Sequence, residues 1–188
     1  MPGPILDWAQ APTNIEIGAG VGWHAVRYGM ENPERRLVAI EHTQEKFAKM
    51  QRRVENHPQL QNVYAVHANA IHWMTHFAPL DSAERIFTLF PNPYPKHSQS
   101  NKRWHRMPFF ERLVDTLKVG GTWTLATNEE FYWKEAEQML SQHSRLELTE
   151  RLEYSAAKPA PWGVRTHFEK KYILQGMTCV QLTFRRRS

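Results

Sequence analysis

The chain has 188 residues, a formal net charge of +5, a 41% hydrophobic composition and one cysteine, Cys179. That length and apolar share suit one globular domain, residues 1–188, and exclude a disordered chain. A lone cysteine excludes an internal disulfide, no apolar run approaches the roughly 18 residues of a membrane span, and the first residues lack the basic and apolar regions of a secretory leader. A cytoplasmic protein with no membrane contact is therefore expected.

The charge is uneven. Residues 1–95 hold 8 Lys/Arg against 9 Asp/Glu, whereas residues 96–188 hold 16 against 10. A basic C-terminal half is expected to attract a polyanion, RNA in particular; ordinary solubility charge is the plainer reading of the same excess.

In chain order, a Pro/Gly-rich start leads to Trp8, an edge anchor, and to a short strand over residues 14–17. The run Gly18-Ala19-Gly20-Val21-Gly22 follows, then a helix over residues 23–30, a second strand over residues 36–40 ending at Glu41, and a helix over residues 44–56 with Phe47, Met50 and Val54 on one stripe. Residues 62–67 read as a third strand, 70–77 as a short helix and 85–90 as a fourth, buried strand. Residues 108–117 form a helix with Pro108 in its first turn, closed by Gly120-Gly121. A fifth strand (122–127), a helix (131–141), a sixth strand (146–152), a helical piece from Thr166 and a seventh strand (177–184) complete the chain, with Arg185-Arg186-Arg187 as a tail. The alternation of strands and helices predicts an α/β fold with a mainly parallel seven-stranded sheet, helices on both faces and an antiparallel edge.

Three strand tips carry the chemistry. Strand, glycine loop and helix form the nucleoside- or phosphate-binding start of an α/β fold. Here the spacing is G-x-G-x-G rather than G-x-G-x-x-G, and Glu16 lies two residues before the first glycine. A carboxylate there suits a cationic ligand better than a pyrophosphate, and S-adenosylmethionine has an ammonium, a sulfonium and no phosphate. Glu41 is placed to accept from two ribose hydroxyls, and Asn69 to read an adenine edge.

The fourth strand stops at Pro91-Asn92-Pro93-Tyr94-Pro95-Lys96, three prolines that force a stiff turn carrying an amide, a ring and a cation. With the cluster Lys102-Arg103-Trp104-His105-Arg106 behind it, the turn suits a planar, anionic substrate such as a nucleotide in RNA; a Pro-rich turn and a solvated loop are the alternative. His72 and His76 lie four apart without a third ligand, so no metal site is expected. Thr166-His167-Phe168-Glu169 fits a capping box, which by itself only starts a helix.

Taken together, Glu16-Ile17-Gly18-x-Gly20-x-Gly22, Ile40-Glu41, Asn69-Ala70, Phe90 to Lys96 with Lys102-Arg103 downstream, Gly120-Gly121, Ala126-Thr127-Asn128 and Thr166-x-Phe168-Glu169 resemble the tRNA (guanine-N7)-methyltransferase family, in that order and from about residue 6 to residue 187. The resemblance implies a class I, Rossmann-like methyltransferase fold, S-adenosylmethionine as methyl donor and a tRNA guanosine as acceptor. It implies cofactor contacts at Glu16, Gly18, Ala19, Gly20, Glu41, His42, Asn69, Ala70 and Asn92, with Asn92 also at the reacting centre. It implies substrate contacts at Lys96, Asn128, Thr166, His167, Phe168 and Glu169. The chain is expected to act as a monomer or weak dimer.

Three positions depart from the family pattern. The turn usually reads F-P-D-P and here has Asn92, the fifth strand usually ends in T-D and here has Asn128, and position 69 is often Asp. An amide still accepts a hydrogen bond, but without charge assistance, which roughly halves its strength. Asn92-Pro93-Tyr94 also resembles the turn of amino-group methyltransferases. Amino-group methylation and a non-catalytic cofactor- or RNA-binding module are thus the two rival readings.

Overall fold

The computed structural model describes residues 7–8 and 11–188. The expectations placed on the Pro/Gly-rich start, including the absence of a leader, fall on residues 1–6 and lie outside the described residues. Seven strands form one sheet in the order β3-β2-β1-β4-β5-β7-β6. They are β1 (Thr13–Ile17), β2 (Arg36–Glu41), β3 (Val63–His67), β4 (Ala83–Leu89), β5 (Leu117–Thr127), β6 (Leu146–Tyr154) and β7 (Cys179–Arg186). The first five are parallel; β7 lies antiparallel to β5, and β6 antiparallel to β7.

The helices are α1 (Trp23–Glu31), α2 (Gln44–Glu55), α3 (Ala70–Phe77), α4 (Phe109–Thr116), α5 (Glu130–Leu140) and α6 (His167–Leu174). Side chains alternate across each strand, so the sheet presents two apolar faces. One face packs Ile15, Val38, Ile40 and Val66 against α3, α4 and α5 through Trp73, Met74, Phe110, Leu113 and Tyr132. The other packs Leu37, Ala39, Phe87 and Leu89 against α1 and α2 through Val26, Tyr28 and Met50. Trp123, fully buried on β5, lies 5.1 Å from the Phe110 ring and donates its indole N–H to Thr88 Oγ1 at 2.9 Å. Trp8 packs as the anticipated anchor, its ring 6.3 Å from Trp73.

Two details differ from the sequence expectation. Gly120-Gly121 does not close α4. That helix stops at Thr116, and β5 begins at once; its pairing with β4 jumps from Ala83↔Leu117 to Arg85↔Thr122, so residues 118–121 bulge out of the strand. Gly120 sits at φ +81°, and a Cβ on Gly121 would come within 3.0 Å of three carbonyl oxygens, so the pair serves a bulge rather than a cap. Nor do Arg185 and Arg186 belong to a tail. Both lie in β7, and Arg186 pairs with Asp81 at 2.5 Å and donates to the Asp115 and Leu117 carbonyls.

Strand order reverses between β1 and β4: the chain builds β1, β2 and β3 outward one way, then returns to set β4 on the other side of β1. The carboxyl ends of the strands flanking such a switch point leave a crevice, the place where open α/β sheets bind ligands.

Candidate functional site: a nucleoside-shaped cavity at the switch point

A cavity of about 600 Å³ opens over these strand tips. Its lining includes Glu16, Gly18, Ala19, Gly20, Glu41, His42, Asn69, Ala70, Asn92, Thr166, His167 and Phe168. All nine positions expected to hold the cofactor are therefore gathered on one wall system. Lys96, Asn128 and Glu169 are not among the lining residues.

The glycine loop is built by backbone. Gly18, Gly20 and Gly22 have φ of +73°, +58° and +79°, a region that L side chains rarely adopt. The loop is pinned to β2, where Gly18 and Ala19 donate their N–H groups to the Ile40 carbonyl at 2.9 and 3.0 Å. Nothing lies within 4 Å of a Cβ placed on Gly18 or Gly20, so this backbone faces open space, whereas a Cβ on Gly22 would meet Met50 at 2.7 Å. The first two glycines leave room for a ligand and the third lets α1 pack on α2.

Two buried carboxylates face this space. Glu41 accepts from Gly20 N–H at 2.9 Å through Oε2 and from Thr43 N–H at 2.8 Å through Oε1. Each oxygen keeps a second lone pair, the arrangement that suits a pair of ribose hydroxyls. Glu16 is 2% exposed, and its Oε2 has no hydrogen-bond partner in the protein. His24 Nδ1 on α1 lies 3.1 Å away, at ion-pair distance, and neither atom has a hydrogen bond. A buried carboxylate oxygen without a donor calls for a cation. Asn69 caps α3, its Oδ1 accepting from Ile71 and His72 N–H at 2.9 and 3.3 Å, which leaves Nδ2 to donate to a ring nitrogen. Ribose acceptors, a cation acceptor and an amide donor fit the donor set of S-adenosylmethionine.

The opposite wall is the Pro turn, which is bent sharply. Phe90 and Tyr94 both have positive φ, +52° and +46°, which for non-glycine residues is sustained only where surroundings hold it. Here Phe90 N–H donates to the Ala126 carbonyl at 2.7 Å, and Tyr94 N–H to Asn92 Oδ1 at 3.4 Å. The buried Arg103 guanidinium donates twice to the Tyr94 carbonyl, at 3.2 and 3.0 Å, and once to the Glu135 carboxylate at 2.7 Å. Glu135 on α5 also accepts from His105 and Arg106, each at 2.8 Å. Burial raises the Glu135 carboxyl, but its hydrogen bonds with Arg103 and His105 outweigh this and hold it below the usual carboxylate range. Burial also keeps His105 neutral, below its ordinary pKa; its Nε2 is the donor, and its buried Nδ1 has no partner to receive a proton's N–H. Glu135 lies 32 residues from Arg103 and carries no local sequence signature.

Several arginines of the expected RNA face are engaged with carboxylates. Arg103 and Arg106 hold Glu135, Arg145 holds Asp115 and Glu111, Arg151 pairs with Glu153, and Arg165 with Glu169. These five arginines meet five carboxylates of the same half, so its excess of six cations remains. Lys96 and Lys102 remain exposed on the Pro loop, with the Lys102 ammonium 5.7 Å from the Tyr94 ring centroid.

Glu169 has the same fate. The capping box is present: Thr166 Oγ1 accepts from Glu169 N–H at 3.0 Å, and Thr166 N–H donates back at 3.3 Å. The carboxylate is fully buried, accepting from Tyr154 O–H at 2.7 Å, from an Arg165 guanidinium N–H at 3.2 Å and from the Arg165 backbone N–H. Burial first, and then the Glu169 charge, push the Tyr154 hydroxyl well above its ordinary pKa and Cys179 up to about 12, which makes Cys179 an inert thiol. Asn128, half-buried, donates to Glu129 Oε1 at 3.0 Å. Trp23, Phe90 and Trp104 line the cavity beside the expected contacts, as do His24 and Lys46, which the sequence did not single out.

Comparison with known proteins agrees with this geometry. The profile of a family described as "Putative methyltransferase" matches residues 10–182. The tRNA (guanine-N(7)-)-methyltransferase of Nitrosomonas eutropha is 31% identical over 174 residues, covering 93% of this chain and 76% of that protein. The enzyme of the same name from Nocardioides sp. is 30% identical, over 94% of this chain and 68% of that one. That of Thermotoga maritima is 28% identical over 91% of this chain, which spans only 54% of its length. Among solved structures, an antibiotic-related methyltransferase superposes with a TM-score of 0.72 at 15% identity, covering 94% of this chain and 89% of that one. A 16S rRNA methyltransferase follows at 0.66 and 15%, covering 96% and 90%. The fold is shared with both.

Proposed function

The chain belongs to the tRNA (guanine-N(7)-)-methyltransferase family, and from that membership we propose that it transfers a methyl group from S-adenosylmethionine to N7 of a guanosine in tRNA. The observation that carries the proposal is the pair of buried carboxylates, Glu16 and Glu41, at adjacent strand tips in a cavity shared with the Pro turn. Bound there, S-adenosylmethionine supplies an electrophilic methyl group on a sulfonium. Glu41 would accept from the ribose, Asn69 Nδ2 would donate to the adenine edge, and Glu16 would receive the ammonium end of the methionine moiety.

Guanine N7 has an in-plane lone pair and no proton, so its methylation needs no general base. It needs the acceptor nitrogen in line with the methyl carbon and the sulfur. The chain supplies that through rigidity: the Pro turn, fixed by Arg103 and Glu135, sets Asn92 and Tyr94 at the cavity's edge. Asn92 Oδ1 already receives the Tyr94 N–H. In amino-group methylation the second lone pair of that oxygen would accept from the reacting N–H₂, so the contact is compatible with either acceptor and nucleoside analysis decides between them. His167 and Phe168 on the first turn of α6 stand opposite, as walls for a base. No helix among the described residues is long and apolar enough to cross a membrane, and we assign the reaction to the cytoplasm, with the chain acting as a monomer or weak dimer.

The test is incubation with methyl-labelled S-adenosylmethionine and total tRNA, followed by nucleoside analysis. Label in 7-methylguanosine is expected. Label in an exocyclic-amino product would move the assignment to amino-group methylation, and cofactor binding without label in RNA would make the chain a binding module.

A further inference from the structure

Beside the main cavity lies a second groove of about 530 Å³, lined by Lys49, Arg52, Arg53, Asn56 and His57 from α2 and its end, and by Trp23, Val21 and His167, which also line the main cavity. The two spaces therefore adjoin along Trp23 and His167. No carboxylate appears among the described residues lining this groove. Lys49 and Arg52 are exposed, and Lys49 shares its charge with Glu45 one turn away at 2.6 Å. Arg53 is positioned more firmly: its Nε donates to the Val21 carbonyl at 3.0 Å, and its guanidinium lies 5.7 Å from the Trp23 ring centroid. Lys170 of α6 lies 5.7 Å from the same ring. His57 donates through Nδ1 to the Arg53 carbonyl at 2.7 Å, which leaves Nε2 for the groove.

Resting on the reading of the protein as a tRNA methyltransferase, we propose that this groove takes the sugar-phosphate backbone of the tRNA strand whose guanine enters the main cavity. A nucleic acid strand with one base in the main cavity must carry its neighbouring phosphates out past the cavity rim. Along Trp23 and His167 that path runs into a row of cations on one helix, whereas Arg103, Arg145 and Arg165 of the C-terminal half face carboxylates. Cations in the last turn of α2 also favour the helix dipole, but that effect is local and has no bearing on RNA affinity.

The test uses the full chain with Lys49→Ala and Arg52→Ala combined, measuring tRNA affinity against salt concentration. Each phosphate contact contributes about 0.7 to 0.9 to the slope of log affinity against log salt, so the double variant should lower that slope by about 1.4 to 1.8. Arg52→Lys, which keeps the charge, should retain most of the slope. Affinity for S-adenosylhomocysteine and the melting temperature should be unchanged, since neither residue lines the main cavity. A folded, cofactor-binding double variant with the parental salt slope would overturn the groove assignment while leaving tRNA methylation intact. A parental protein that binds S-adenosylhomocysteine but neither binds nor methylates tRNA would overturn both.

Discussion

Glu41 and Glu169 are both buried carboxylates at the ends of elements, 3% and 0% exposed, and both accept backbone N–H groups. They differ in what lies on the far side. Glu41 borders a cavity, and each of its oxygens accepts only one hydrogen bond from the protein. Glu169 is enclosed by Tyr154, Arg165 and the first turn of α6, and no oxygen is left for a substrate. On the proposed function, the same side chain serves recognition in the β1–β3 half and architecture in the β6–α6–β7 half. What separates the roles is whether the protein alone satisfies the group.

The largest expected effect tests the architectural side. Glu169→Ala leaves the buried Arg165 without its partner and the Tyr154 hydroxyl without its acceptor. Loss of one partner of a buried pair costs about 3–5 kcal/mol, so chemical denaturation should show a drop of that order. A silent substitution would return Glu169 to the substrate positions that the family resemblance implies.

Next comes the recognition side. Glu41→Ala should weaken S-adenosylhomocysteine by about 1.5–3 kcal/mol, the scale of hydrogen bonds to a charged group. Calorimetry should read this as roughly a ten- to hundredfold loss. Unchanged affinity would remove Glu41 from the site and erase the contrast.

A smaller effect concerns the latch on the Pro turn. The folded-state pKa of His105 is depressed by burial, so the unfolded chain binds a proton that the folded chain resists, and stability falls as pH drops below about 6.5. Glu135 is also held low, so its contribution is present above the unfolded value and is lost at still lower pH, as the folded carboxylate is protonated. Urea midpoints should therefore decline from pH 7.5 through pH 5.5, and His105→Gln should flatten that part of the curve. A midpoint that rises on acidification would contradict the neutral assignment of His105.

The smallest effect concerns charge on the Pro loop. Lys102→Ala should lower the salt slope of tRNA binding by about 0.7 to 0.9 if it meets one phosphate. Arg103→Ala should act on stability instead, because that guanidinium is buried against Glu135. Equal salt-slope losses for the two would mean that Arg103 leaves its pocket to meet RNA.

The legibility of these features in the sequence follows from how local their causes are. Gly18, Gly20 and Gly22 are written into the chain by a backbone conformation other residues avoid, and Glu16, Glu41 and Asn69 are found by counting to the ends of strands. Seven strands and their antiparallel edge follow from periodicity and from the missing crossover before β7. The bulge at residues 118–121 was hidden because a Gly-Gly pair reads equally well as a helix stop. Glu135 and the basic groove on α2 were hidden because they join residues far apart in the chain. Thr166-x-x-Glu169 shows a capping box to any reader, but not which way the carboxylate faces once β6 supplies Tyr154.

The contrast between the two carboxylates can be measured in one experiment: melting temperature with and without saturating S-adenosylhomocysteine, for the parental chain, Glu41→Gln and Glu169→Gln. A ligand that binds only the folded state raises its stability with its occupancy. Glu41→Gln should melt near the parental temperature and lose most of the ligand-induced rise; Glu169→Gln should melt lower and keep that rise. The reverse pattern, a destabilised Glu41→Gln that still responds to ligand beside a stable Glu169→Gln that does not, would contradict the assignment of recognition to the first half of the sheet.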